Sequence, residues 1–120
     1  MSKPRIFLGS SGKQAKLLEA ITRGLADVAD VVLAGHDHDY ERFTPMSADG
    51  EADPKGVTQF VAGTGGRSHY KFRTPKPTSK VRITGRDGVL RLQLTEQGYA
   101  WEFTTAPKGD VLDRGNGQCH

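Results

Sequence analysis

The chain has 120 residues, 35% of them apolar, a mean hydropathy of −0.56, 15 glycines and 6 prolines. That length fits one domain with a thin core and many turns, and no window approaches the ~18 apolar residues that span a bilayer. The net charge of +3 conceals two blocks: six acids against one base (Arg42) across residues 37–53, then seven bases and no acid across residues 67–86. Cys119 is the only cysteine, which excludes an internal disulfide and a thiolate metal cluster. The opening "MSKPRIFLG" has three consecutive apolar residues, too few for a signal peptide, so no export signal is read and the compartment stays open. No membrane partner is expected. The basic block could attract phosphates or nucleic acid. No aromatics alternate with its bases, however, as single-strand binders require. It reads as a solvated loop and strand face, and nucleic acid is not the expected partner.

In chain order, residues 5–8 read as a short buried strand, broken by "GSSG" at residues 9–12. Ser10 or Ser11 can cap a helix running from Lys13 to about Val28. Its apolar stripe is Leu17, Leu18, Ile21, Leu25 and Val28, with Gly24 as a weak point. Residues 31–34 form a continuous apolar strand. The sum is a βαβ unit with parallel strands. Ligand sites in such sheets lie at the carboxyl ends of the strands, so "GSSG" and "GHDHD" share one rim.

The remainder reads as mostly antiparallel β. Residues 46–56 are a polar loop, 57–62 a strand that stops at "GTGG", 67–79 a loop with Pro75 and Pro77, and 80–84 a short strand. Residues 89–95 and 99–105 make a hairpin around "EQG". Leu90, Leu92 and Leu94 face one way on its first strand, and Tyr99, Trp101 and Phe103 on its second. These six are expected to supply much of the core. Residues 107–120 read as a polar, glycine-rich, loosely held tail. The expected organisation is one partial domain over 1–120: a βαβ part at 1–43, a β-rich part at 44–106 and a flexible tail at 107–120.

His36 and His38 are two apart and follow Gly35, which has no Cβ and lets the chain turn sharply. Side chains at i and i+2 point to one side, so both imidazoles can converge on a metal or on two neighbouring metals. Histidine suits Zn, Fe and Mn, and carboxylates shift preference toward harder ions. Asp37 and Asp39 are candidate ligands or candidate supports of the rings. A bare His-x-His is a weak signal, and its position at a strand end strengthens it. His69 reads as a surface histidine, and His120 as terminal and mobile.

The longer string "GHDHDYER" resembles the last motif of the calcineurin-like metallophosphoesterases, in the branch that includes the purple acid phosphatases. "FVAGTGG", "DGVLRLQLTEQGYAWEF", "GNGQCH" and "KPRIFLGSSGKQ" resemble the C-terminal portion of the same family. The resemblance implies the C-terminal half of an α/β sandwich. It implies His36 and His38 as metal ligands, one to each ion of a dinuclear Fe, Zn or Mn centre that drives hydroxide attack on a phosphate ester. It implies Tyr40 lining the site, Glu41 and Arg42 bracing the loop, and Gly63, Gly65 and Gly66 in a close backbone turn at the rim. The family's earlier ligand motifs, Asp-x-His, Gly-Asp-x-x-Asp/Tyr and Gly-Asn-His-Asp/Glu, do not occur here. Ser2 holds the place of one further ligand histidine, and Gln14 that of a substrate-facing one. Even one catalytic zinc normally takes three protein ligands. The chain alone is therefore expected to be inactive, with no catalytic residue assigned. Such a half fold leaves apolar surface open, so a homodimer or marginal stability is expected.

Two other readings compete. "KPRIFLGSSGKQAKLLEAITRGL" also resembles the opening of TIR-like nucleotide-binding domains, in which loop amides and a helix N-terminus hold phosphate without metal. The third reading is an interaction domain that uses the basic block. Family members are often secreted, which does not fix the compartment here.

Overall fold

The computed structural model describes residues 3–8, 15–72 and 74–120, with the side chains of Leu8 and residues 15–19 outside that description. Ser2, "GSSG", the Ser10 or Ser11 cap, Gln14, Arg73 and the side chains of Leu17 and Leu18 therefore lie outside the described residues.

Strand β1 (Ile6–Leu8), helix α1 (Ala15–Gly24) and strand β2 (Val31–Ala34) form the βαβ unit, with β1 and β2 parallel. The helix ends at Gly24, short of the expected Val28. Beyond it Leu25 N–H is shared between Ile21 O and Thr22 O, Ala26 N–H reaches Arg23 O and Val28 N–H reaches Leu25 O, so the chain tightens toward an i→i+3 pattern. The buried face accordingly shifts. Thr22, Ala26 and Ala29 are buried, whereas the expected stripe residues Ile21 and Val28 are exposed. Arg23 Nε donates to Ala48 O at 2.8 Å and ties the last helical turn to the following loop.

Strands β3 (Tyr40–Phe43), β4 (Thr58–Ala62) and β5 (Ser79–Ile83) complete a five-stranded sheet in the order β1-β2-β4-β3-β5. β4 runs parallel to β2, and β3 runs antiparallel to both β4 and β5. Met46 is buried in the expected polar loop and bridges Ala52 and Val57.

A second, antiparallel sheet comprises β6 (Gly88–Leu94), β7 (Gly98–Thr105) and β8 (Val111–Gln118). β8 replaces the loosely held tail. Its inward positions Asp113, Gly115 and Gly117 stand opposite Phe103, Trp101 and Tyr99 of β7. A Cβ on Gly115 would sit 2.4 Å from Trp101 Cζ2, and one on Gly117 2.5 Å from Tyr99 Cζ. The rings of β7 fill what the glycines leave open, so β8 needs no apolar side chain on that face.

The five-stranded sheet buries Val32, Ala34, Phe43, Met46, Val57 and Val61 with the α1 segment on one face. Its other face meets the second sheet through Val31, Tyr40, Phe60, Tyr99 and Phe103. Leu90, Leu92 and Trp101 pack against that cluster, while Leu94 is exposed, so five of the six expected hairpin residues contribute. Phe7 and Val89 are also exposed.

The chain end is anchored too. Buried Asp30 accepts Arg5 N–H and His120 N–H, each at 2.9 Å, and its Oδ1 lies 2.9 Å from His120 Nδ1. His120 Nε2 lies 2.7 Å from Ala26 O, and Arg5 Nη2 donates to His120 O at 2.7 Å. His120 is thus held rather than mobile. Neighbouring Cys119 is buried, and burial followed by the Asp30 charge pushes its thiol pKa up, which disfavours pairing with another chain.

Candidate functional site

The topology determines where the histidines go. The chain leaves β2, must pass over β4 because β4 lies between β2 and β3, and returns antiparallel as β3. "GHDHD" is that overpass, arching across the carboxyl end of β4. Asp37 N–H donates to Gly35 O at 3.0 Å and Asp39 N–H to Asp37 O at 2.8 Å, so the turn is closed by two successive short-range bonds. The left-handed residue is His36, with φ 75°, rather than Gly35, the residue expected to let the chain turn sharply. A Cβ on Gly35 would meet only Ala62 O, at 3.8 Å, an ordinary contact. A non-glycine residue in that region stores about 1 kcal/mol of backbone strain.

The glycine that the turn requires is Gly63. Its Cβ would fall 1.9 Å from Asp37 O, and its N–H donates to Asp39 O at 3.0 Å. Of the three glycines expected in a close turn, only Gly63 is in one. A Cβ on Gly65 or Gly66 would meet nothing within 4 Å, and Gly66 adopts φ 106°. Thr64 between them is buried, donates from Oγ1 to Gly88 O at 2.9 Å and accepts Gly88 N–H at 3.0 Å. That pair ties the rim to the second sheet, and nothing in the local sequence marks it.

Both histidines lie on the rim. His36 is exposed and His38 half-buried. The His38 ring stacks on Tyr70, with centroids 4.3 Å apart and planes 25° apart, and its Nδ1 lies 3.4 Å from Ser68 Oγ. Neither Ser68 nor Tyr70 is visible as a site residue in the sequence, because they stand about thirty positions downstream within the basic block. His69, between them, pairs through Nε2 with Asp87 at 2.8 Å.

Asp37 is half-buried and Asp39 buried. Burial, then the Asp37 and Glu41 carboxylates, raises the Asp39 pKa to about 7. Glu41 accepts Ser79 Oγ at 2.5 Å across the β3–β5 edge instead of bracing the turn.

Tyr40 does not line the site, contrary to expectation. It is fully buried, stacks on Phe103 at 4.2 Å and donates its hydroxyl to Asp113 Oδ2 at 2.6 Å. Burial, then the Asp113 carboxylate, pushes its phenol pKa up. Arg42 does not brace the loop either. Its Nε and Nη2 grip Asp113 at 2.8 and 3.1 Å, and its guanidinium lies over the Trp101 ring at 4.9 Å. Burial pushes the Asp113 pKa up, but the Arg42 and Tyr40 hydrogen bonds outweigh it and hold the value below the usual carboxylate range. Tyr40 and Arg42 therefore latch the two sheets together.

Among the described residues, no three His, Cys, Asp or Glu side chains converge to hold a metal ion. His36 and His38 fit as two donors of a larger set, not as a complete site. Among the described members of the basic block, Arg82 turns to Ser79 and Arg86 reaches Asp110 at 3.8 Å.

No family model matches the chain, and no curated protein matches it. Solved structures do. The chain superposes on purple acid phosphatase PPD1 from yellow lupin (Lupinus luteus) seeds with a TM-score of 0.69 and 20% identity, over 95% of this chain and 24% of that one. It superposes on GAP50, the anchor in the inner membrane complex of Plasmodium, with a TM-score of 0.70 and 19% identity, over 99% of this chain and 35% of that one. The chain thus spans about a quarter to a third of the length of these structures. At such identities the likeness concerns architecture alone: this chain shares its mixed α/β, two-sheet fold with part of each of these structures.

Proposed function

We propose that this chain is the C-terminal portion of a metallophosphoesterase-type hydrolase and supplies two of its metal donors, His36 and His38. The observation that carries the reading is the overpass itself: two imidazoles in a strained turn at the carboxyl ends of the parallel strands of a mixed sheet, on a fold shared with a purple acid phosphatase. Buried and half-buried carboxylates beside the imidazoles favour a cation. The substrate class is a phosphate ester. Two imidazoles fall short of a catalytic set, so the chain alone holds metal weakly and does not turn substrate over.

The test is metal content per chain after purification with Mn, Zn or Fe, comparing the parent with a His36→Ala, His38→Ala variant, together with hydrolysis of p-nitrophenyl phosphate. The reading expects metal in the parent, loss of that metal in the variant, and no turnover by either. Equal metal in both chains would remove the histidines from the site. Turnover by the parent would contradict the incomplete donor set.

A further inference from the structure

His38 is gripped by a segment to which nothing assigns a role. We infer that Ser68 and Tyr70 are positioning residues for the His38 ring, leaving Nε2 as the nitrogen it offers to a cation; this rests on the proposed metal role of His38. In an extended segment, alternate side chains point to one side. Ser68 and Tyr70 turn to His38, while His69 between them turns away to Asp87. The segment is held at three further points. Tyr70 N–H donates to His38 O at 3.1 Å, Thr84 Oγ1 donates to Tyr70 O, and the His69–Asp87 pair fixes the middle residue.

The consequence for the imidazole is directional. Tyr70 covers one face of the ring, so no ligand approaches from there. Ser68 Oγ lies by Nδ1, and Nε2 has no protein partner among the described residues. A metal-binding imidazole commonly gives its second nitrogen to an oxygen, which sets the tautomer and the ring plane. Here that oxygen is a hydroxyl, and the aromatic neighbour adds a stacked contact. His36, by contrast, is exposed and has no such neighbour among the described residues. The two histidines of the motif are therefore unequal: His38 is pre-set, and His36 must be ordered by whatever it binds.

Two readouts test this on the full chain. The first is the proton spectrum of the metal-free protein. The His38 ring protons should shift upfield through the Tyr70 ring current, the shift should vanish in Tyr70→Leu and persist in Tyr70→Phe, and His36 should not respond. The second is Co²⁺ affinity. Loss of a stacked aromatic contact should weaken binding about 2- to 10-fold in Tyr70→Leu, with recovery in Tyr70→Phe. Ser68→Ala should weaken it to a similar degree. An unshifted His38 ring in the parent, or Co²⁺ affinity unchanged in Tyr70→Leu and Ser68→Ala, would overturn the inference. If the parent binds no Co²⁺ yet shows the Tyr70-dependent shift, the metal reading fails while the positioning geometry stands. Tyr70 is partly exposed on a loop, so its variants should fold, and Tyr70→Phe controls for any general disturbance.

Discussion

Two buried aspartates, Asp39 and Asp113, show how differently the two ends of "GHDHDYER" are built. The Asp39 pKa is raised to about 7 by burial and then by the Asp37 and Glu41 carboxylates; Asp113 is gripped by Arg42 and Tyr40, and its pKa falls. The residues that create this contrast are neighbours in sequence. His36 to Asp39 form the overpass on the rim, and Tyr40 to Arg42 enter β3 and lock it to β8. One contiguous motif thus has two physical roles. Its first half gathers donors and uncompensated acid where a cation could enter. Its second half contributes stability, and its polar atoms are already engaged.

The largest effect should come from breaking the latch. Asp113→Ala leaves the half-buried Arg42 without its partner, which should cost about 3 kcal/mol in urea unfolding, the lower end for a buried pair. Tyr40→Phe removes one hydrogen bond and should cost only about 1 kcal/mol. If the two variants cost the same, Arg42 is not the main tenant of the latch.

Next is the backbone contact under the overpass. Gly63→Ala drives a methyl group into Asp37 O, a backbone atom that cannot swing aside. It should destabilise the chain by about 1–3 kcal/mol and change the amide signals of residues 35–39. Gly65→Ala, in open space, should leave those signals unchanged; equal effects would mean that the turn does not rest on Gly63.

On acidification the rim should respond first, as Asp39 takes up its proton near pH 7, and the latch only at lower pH. Asp113 and Asp30 have folded pKa values below those of the unfolded chain. Their contribution is therefore complete above the unfolded value of about 3.9 and is lost as pH falls through the folded values. The urea midpoint should drop on acidification below about pH 4, and the drop should be shallower in Asp113→Asn. An equally steep drop in that variant would exclude Asp113 as a contributor.

The smallest effect is at His36. Glycine there relieves about 1 kcal/mol of left-handed strain. It also adds roughly 0.5–1 kcal/mol of unfolded-chain entropy. His36→Gly should therefore leave the urea midpoint within error of the parent, whereas β-branched His36→Val should lower it.

The βαβ start, the strand ending in "GTGG" and the 89–105 hairpin were legible because apolar periodicity reports which face is buried. β8 was not, because Gly115 and Gly117 borrow their bulk from Trp101 and Tyr99, so the strand carries no apolar alternation. The helix ends before Val28, although Val28 continues the helical spacing, because Gly24 is a poor helix former. The two histidines could be found at a strand end by spacing alone. Their unequal support could not, because Ser68 and Tyr70 reach His38 only through tertiary folding. Nor could spacing show that Tyr40 and Arg42 turn inward, since their partner Asp113 lies some seventy residues downstream.

The division of the motif can be tested by one measurement, the Zn²⁺-induced rise in melting temperature, compared between the parent, a His36→Ala, His38→Ala variant and Asp113→Asn. A ligand that binds only the folded chain raises its melting temperature. The account predicts a rise in the parent, no rise in the histidine variant measured from its own starting temperature, and a full rise from a lower starting temperature in Asp113→Asn. A histidine variant that gains as much from Zn²⁺ as the parent would contradict the account.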